Sequence, residues 1–270
     1  MNPLSSDLGV MRQTLLFGGL ESIVRNVNRK ARNLRFFEVG NVYHFDEERY
    51  TTESPIKAYQ QRYHLALWVT GHRVEGNWAH PDEESSFFEL KAHVENVLRR
   101  VGLQAGQVLR EVSDNNIFDK GLRMKTRGGK VLVDMGIVNH HVLRRFDIEQ
   151  PVYYAEIDWT ELMKATRKNS LLFQELSKYP AVSRDLALLV DANVEFAQIE
   201  QIARQTEKKL LKQVVLFDVY QGKNLPEGKK SYAVNFILQD ENRTLTDKAI
   251  EAIMQKLMKN LTTKLHAELR

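Results

Sequence analysis

The chain has 270 residues, 43% hydrophobic and 27% charged, with a formal net charge of +4 and no cysteine. That length gives room for one large or two medium domains, and the composition is that of an ordinary globular chain. No run of 18 apolar residues occurs and Met1-Asn2-Pro3-Leu4-Ser5-Ser6-Asp7 has no leader-like character, so neither a membrane span nor a secretory signal is expected; the absence of cysteine removes disulfides, thiolate nucleophiles and Cys-based zinc sites, which fits the cytoplasm.

The first predicted element is a helix capped by Ser5 or Ser6, with Met11, Leu15, Leu20, Ile23, Val24 and Val27 at roughly helical spacing. Gly18-Gly19 is costly inside it and marks a break or a close contact. Arg35 to Phe45 is dense in β-formers, and Tyr63 to Thr70 reads as another strand. Phe87 to Val101 reads as a helix through Leu90, Val94, Val97, Leu98 and Val101. Arg127-Gly128-Gly129-Lys130 predicts a hairpin turn in which the glycines supply positive φ, and Val131 to Val138 the returning strand. His140-His141 then reads as a turn pair. Val152 to Ile157 is strand-like. The stretch from Thr166 to Pro180 ends in a helix-breaking proline and reads as a partly apolar linker. These elements give an α+β class with a mixed, mostly antiparallel sheet in residues 1–165, a linker at 166–177 and a second domain at 178–270.

The second domain alternates more cleanly. Arg184 to Val190, Lys212 to Tyr220, Ser231 to Gln239 and Ala267 to Arg270 read as strands, and Phe196 to Leu211 and Thr246 to Lys264 as helices. The order βαββαβ is the ferredoxin-like split βαβ. Thr244-Leu245-Thr246-Asp247 reads as a helix start, with a capping hydroxyl and an acid at the positive end of the dipole. Period-two arithmetic turns Tyr232, Val234, Phe236 and Leu238 toward the helices and Ser231, Ala233, Asn235 and Gln239 away from them. In the preceding strand the same arithmetic turns Val215, Phe217 and Val219 inward and Leu216, Asp218 and Tyr220 outward. The outward face then offers Tyr220 to stack on an unpaired base, with Asp218 and the amides of Asn235 and Gln239 to read base edges. Lys229, Lys230 and Arg243 in flanking loops are candidates for phosphate contact. Arg184, at a strand start beside Asp185, is either an RNA contact or half of a local ion pair. The competing reading is a face that packs on another domain, with lysines that are only solvated. From Lys178 onward there are 15 Lys+Arg against 12 Asp+Glu, a balance that permits RNA binding without requiring it.

Catalytic motifs are lacking in the sequence: no phosphate-binding loop, no dinucleotide fingerprint, no His-Glu-x-x-His and no nucleophile elbow. His64, His72 and His80 recur every eight residues around Trp68 and Trp78, but no carboxylates accompany them at ligand spacing, so no metal is expected.

Two ordered sets of residues carry a family resemblance. The first is Lys178-Tyr179-Pro180, Ser183-Arg184-Asp185-Leu186, Leu216-Phe217-Asp218-Val219-Tyr220, Glu227-Gly228-Lys229-Lys230-Ser231 and Arg243-Thr244-Leu245-Thr246-Asp247, closing with Glu268-Leu269-Arg270. It resembles the ferredoxin-fold anticodon-binding domain that ends the β chain of bacterial phenylalanyl-tRNA synthetase. The second is Asn2-Pro3-Leu4-Ser5, Met11 to Leu16, Phe37 to Tyr43, Phe88-Glu89-Leu90-Lys91, Asp134 to Val138 and Ala155 to Asp158. It resembles the catalytic-like module of the same chain, related to the class II synthetase core but inactive.

The resemblance implies an α2β2 holoenzyme that joins phenylalanine to its tRNA through an adenylate, using ATP and Mg²⁺, with phenylalanine tRNA and the α subunit as partners and neither DNA nor membrane. It implies that residues 1–165 are a scaffold, that 178–270 meets the anticodon, and that this chain binds no cofactor and does no chemistry alone. His44 stands where the active subunit has an arginine for ATP, and no late glycine-rich strand ends in the arginine that class II sites place on the γ-phosphate. Without those cations the charge developing during adenylate formation lacks its stabilisers. Relative to the family, the chain reads as a C-terminal part of a β chain whose first strands of the catalytic-like module are missing. The alternative is a purely structural or oligomerisation module, with RNA binding carried by domains not present here.

Overall fold

A computed structural model of the chain describes residues 9–103, 105–169 and 177–269. The chain divides into two compact units, Met1–Leu172 and Phe173–Arg270.

The first unit is a six-stranded sheet with helices on both faces. Its strands are β1 (Leu34–Phe45), β2 (Tyr59–Thr70), β5 (Val108–Val112), β6 (Phe118–Thr126), β7 (Val131–Val138) and β8 (Val152–Asp158), in the order β1-β2-β8-β7-β6-β5. Every described pairing in it is antiparallel. A small hairpin, β3 (His72–Val74) with β4 (Glu83–Glu84), stands apart. Paired residues share a face of a sheet, so two cores form. On one face α1 (Leu16–Val27) and α3 (His140–Arg145) cover Val42, Ala66, Trp68 and Tyr154. On the other, α2 (Phe87–Arg100) and α4 (Trp159–Thr166) cover Leu65, Val69, Met135 and Ile157. The central β8 is apolar on both sides because both sides are covered.

α2 forms where its periodicity placed it. Ser86 caps it, accepting from the Glu89 N–H at 3.3 Å, and Leu90, Val94 and Leu98 make the buried stripe. α1 starts later than expected, at Leu16, with no side-chain cap. Ser5 and Ser6 lie outside the described residues, and Met11 lies before the helix and is exposed. The helix does not break at Gly18-Gly19. Gly19 instead rests on the Trp68 indole, where a Cβ would come within 2.1 Å of the ring. The hairpin at 126–131 uses one positive φ, not two. Only Gly129 is left-handed, at +80°, with its N–H donating to Thr126 O, and the register shifts by one nearby. That is a three-residue turn with a bulge. His140-His141 is not a turn: Asn139 accepts from the His141 N–H at 2.8 Å and starts α3.

The second unit has β9 (Val182–Asp191), α5 (Phe196–Thr206), β10 (Leu211–Tyr220), β11 (Lys229–Leu238), α6 (Asp247–Leu265) and β12 (Glu268–Leu269). The sheet order is β10-β11-β9-β12, all antiparallel, which is the expected ferredoxin-like arrangement. Both helices cover one face, around Leu188, Val190, Ile199, Val234, Phe236, Leu257 and Leu261. α5 ends at Thr206, five residues before the expected Leu211, because Glu207 turns the chain there. Its carboxylate accepts from the Lys209 and Leu210 N–H groups, so Leu211 enters a strand. Thr246 caps α6 as expected. His266, left-handed at φ 49°, turns the chain from α6 into β12. The last residue of the expected final strand, Arg270, lies outside the described residues.

Candidate nucleic-acid interface

The face of the second sheet away from α5 and α6 is open. Its central row is set by register: Asp218 beside Ala233 and Ala187, Tyr220 beside Ser231 and Leu189, Asn235 beside Asp185. Asp218 and Tyr220 therefore point outward, as expected, from the free edge strand. Tyr220 is 37% exposed.

The rest of β10 departs from strict alternation. Val214 and Leu216 pair with Phe236 and Val234 and pack into the core. Val215 pairs with Asn235 on the open face. The expected phase, Val215 inward and Leu216 outward, is thus reversed in this half. The cause is a bulge between Leu216 and Asp218, where Phe217 has no cross-strand partner. An extra residue in one strand swaps the faces of everything on one side of it. The bulge restores the expected phase at Asp218 and leaves Phe217, expected in the core, 58% exposed beside Tyr220. Sequence reasoning missed this second exposed aromatic, and no local signal announces the bulge.

The structure does not gather the other candidates into one site. Lys230 is a correction. It is part of β11, not of a loop, and shares the inward face with Tyr232. It is only 8% exposed, with its ammonium 4.8 Å from the centre of the Tyr232 ring. A residue so held is packing, not a phosphate contact. Ser231, expected outward, does lie on the open face by register but is buried. Lys229 lies on the open face, bonded to Glu268 at 2.9 Å and near Asp191 at 3.9 Å. The Glu268 bond, more than its own slight desolvation, raises its pKa and keeps it charged. Asn235 donates to Asp185 at 2.5 Å and also to Ser183, and Gln239 donates to the Tyr179 carbonyl at 2.8 Å. Both amides are engaged within the fold. Arg184 pairs with Phe236 on the helix side of the sheet and its guanidinium donates to the Ser183 carbonyl, not to Asp185. Arg243 is an exposed loop cation bonded to Asp240 at 3.1 Å.

Two ends result. Asp218, Tyr220 and Lys229 lie toward one end of β11. Asn235, Arg184 and Arg243 lie toward the other, which at about 3.3 Å per residue puts Lys229 and Leu238 about 30 Å apart. Among the described residues, register places Asp185, Asp191, Asp218 and Glu268 on the open face against Lys229. That balance does not attract phosphates. What the face can do is stack aromatic rings on bases and accept hydrogen bonds from them.

The first unit has its own polar depression, on the sheet face beside α1. Glu156 accepts from Thr14 Oγ1 (2.6 Å), Tyr154 OH (2.6 Å), His64 Nδ1 (2.8 Å) and the Leu15 N–H (3.3 Å). Burial pushes this carboxyl up, but the hydrogen bonds from His64, Thr14 and Tyr154 outweigh it and hold the group below its usual range. Burial, with Tyr154's bond to Glu156, keeps the phenol protonated. Asp158 caps α4 and pairs with Arg62 at 3.1 Å. A cleft of about 400 Å³ opens there between Arg62, His64, Lys130, Asp134 and Glu161. Two of its acids are paired, Asp134 with Arg123 and Glu161 with Lys164. His44 lies nearby, and burial first, then Arg62 and His64, lower its pKa. It is a neutral imidazole at pH 7 and supplies no fixed cation. Among the described residues no group of three or more His, Asp or Glu could hold a metal ion.

An antiparallel sheet with helices on both faces, followed by a ferredoxin-like domain with an aromatic open edge, defines a class: a two-part α+β chain whose second part is a ferredoxin-fold domain. Comparison with known proteins makes the class specific. Residues 1–159 match the family described as the phenylalanyl tRNA synthetase beta chain CLM domain, and residues 177–270 match the ferredoxin-fold anticodon binding domain. The whole chain is 57% identical to a phenylalanine–tRNA ligase beta subunit of Bacteroides thetaiotaomicron, 51% identical to one of Porphyromonas gingivalis and 33% to one of Clostridium acetobutylicum. It spans about a third of the length of these curated relatives (33%, 33% and 32%). The chain belongs to the phenylalanyl-tRNA synthetase beta chain family.

Proposed function

We propose that the chain is the non-catalytic, tRNA-binding and subunit-assembly part of a phenylalanine–tRNA ligase. In that reading the holoenzyme uses ATP and Mg²⁺ to attach phenylalanine through an adenylate, in the cytoplasm, and the chemistry resides in an α subunit held by residues 1–165. Residues 178–270, after a linker at 166–177, meet the anticodon region of phenylalanine tRNA. The observation that carries the tRNA half is the pair Asp218 and Tyr220, two residues apart and both outward on a free edge strand, in a domain matching an anticodon-binding family. Tyr220 supplies the stacking ring and Asp218 the acceptor for a base N–H. Lys229, held by Glu268, borders them, and the exposed Arg243 is an outer contact for the backbone of the RNA; Arg184, on the helix side of the sheet, and Asn235, held by Asp185, are not part of that surface.

The first unit supports the assembly half. Glu156 is engaged by internal bonds, Arg62 is held by Asp158, and His44, standing where the active subunit has an arginine, is uncharged at pH 7, so that position lacks the cation that a developing phosphoryl charge needs. Titration of phenylalanine tRNA against the chain and against Tyr220→Ala tests the proposal. Loss of a stacked ring costs about 1–3 kcal/mol, so affinity falls about fivefold or more. Equal affinity for both proteins removes the open edge from the interface.

A further inference from the structure

The hairpin between β3 and β4 ends in the most exposed large apolar residue of the described chain: Trp78, 99% exposed. It is not on a loose loop. At the tip the Asn77 N–H donates to the His80 carbonyl (2.8 Å) and the His80 N–H to the Asn77 carbonyl (3.3 Å). The Asn77 side chain accepts from the Ala79 N–H (2.9 Å) and the His80 N–H (3.2 Å). Below it, Asp82 accepts from the Gly76 N–H at 2.5 Å, an approach that a Cβ on Gly76 would crowd. Arg73 pairs with Glu83 across the strands. The base is tied to the sheet through Asn33, which accepts from the His72 N–H and donates to Glu75 (2.5 Å), and through Arg35, which donates to the His72 carbonyl. Such a framework orders a turn whose one apolar side chain touches solvent, and nothing within the fold accounts for the exposed ring. A rigidly presented tryptophan is the commonest kind of binding anchor, because little entropy is lost when it docks.

The charge around it selects the occupant. Glu75, Asp82, Glu83 and Glu84 lie along the same hairpin with one arginine, Arg73, which is paired with Glu83. An RNA backbone is repelled by that acidic hairpin; a protein pocket with an apolar floor and a basic rim is attracted. We propose that the Trp78 hairpin is a docking anchor that inserts into such a pocket on the α subunit. This rests on the assembly reading above and names its contact point.

The test uses the chain, its Trp78→Ala and Glu84→Gln variants, and the cognate α subunit, with complex formation followed by sedimentation and by acrylamide quenching. Trp68 is 1% exposed, so subtraction of the Trp78→Phe signal isolates Trp78. The proposal expects Trp78→Ala to weaken the complex by about 30-fold, the loss typical of an anchor residue. It also expects Trp78 to become shielded in the complex, and Glu84→Gln to weaken binding at low salt more than at high salt. A complex of unchanged affinity with Trp78 still quenchable overturns the anchor while leaving assembly intact. No complex with the unmutated chain overturns the assembly reading and the anchor with it. Shielding of Trp78 in the chain alone, or by tRNA without the α subunit, also overturns it.

Discussion

Gly18 and Gly19 are adjacent in one helix, and the structure gives opposite signs to the same substitution. Either glycine costs a helix about 1 kcal/mol relative to alanine. At Gly18 the nearest atom to an added Cβ is a Glu38 oxygen at 3.8 Å, ordinary contact. Gly18→Ala is therefore expected to stabilise the first unit by about 0.5–1 kcal/mol. At Gly19 the added atom meets three atoms of the Trp68 indole at 2.1, 2.4 and 2.5 Å. The ring is 1% exposed and packs against Tyr154 with centroids 5.3 Å apart, so it has nowhere to retreat. The helix must lift off the sheet, costing about 3 kcal/mol or more from overpacking. Less the helical gain, Gly19→Ala loses about 2 kcal/mol. Urea denaturation followed by tryptophan fluorescence reads both variants against the unmutated chain. A Gly19→Ala protein as stable as the parent would refute the close packing of α1 on β2. Equal effects at the two positions would refute the argument that contact, not propensity, decides.

Three further outcomes follow from named contacts. Glu156→Gln puts an amide among the donors Thr14, Tyr154 and His64, and is expected to cost about 2 kcal/mol at pH 7. The Glu156 carboxyl is held below its ordinary value of 4.5, so its contribution is complete above that pH and is lost as the pH falls through the lower folded value; urea curves of parent and variant should converge on acidification, and a constant gap would contradict this. Lys230→Met keeps the buried stem that covers Tyr232 and removes only the charge, so tRNA affinity and its salt slope should not change; a slope reduced by about one unit would restore Lys230 as a phosphate contact. Phe217→Ser removes an aromatic that is 58% exposed, so stability should change by less than about 1 kcal/mol, and a large loss on melting would show that Phe217 is core after all.

Much of the architecture was legible because it follows from local periodicity. The buried stripe of α2, the β6–β7 hairpin and the βαββαβ order of the second unit need only residue spacing and turn chemistry. The misses have separate physical causes. The face of β10 was misread because a single unpaired residue, Phe217, breaks the alternation on which the arithmetic depends. Lys230 was legible and overlooked: it has the same parity as Tyr232, and beginning the strand two residues earlier places it inward. Arg184 shares that parity argument with Leu186 and Leu188. The His64–Glu156 bond joins residues 92 apart, and no local pattern carries such a pairing. Trp78 was noticed only as a neighbour of histidines, because exposure depends on what the fold leaves uncovered.

In the proposed function the second unit reads an anticodon through the open edge at Asp218 and Tyr220. The most direct measurement titrates the chain with phenylalanine tRNA and with the same tRNA carrying a changed anticodon, at two salt concentrations. Tighter binding of the native anticodon is expected, with a preference that persists at the higher salt, because an acidic face recognises bases and not phosphates. Equal affinity for the two tRNAs, or a difference that vanishes with salt, would contradict it.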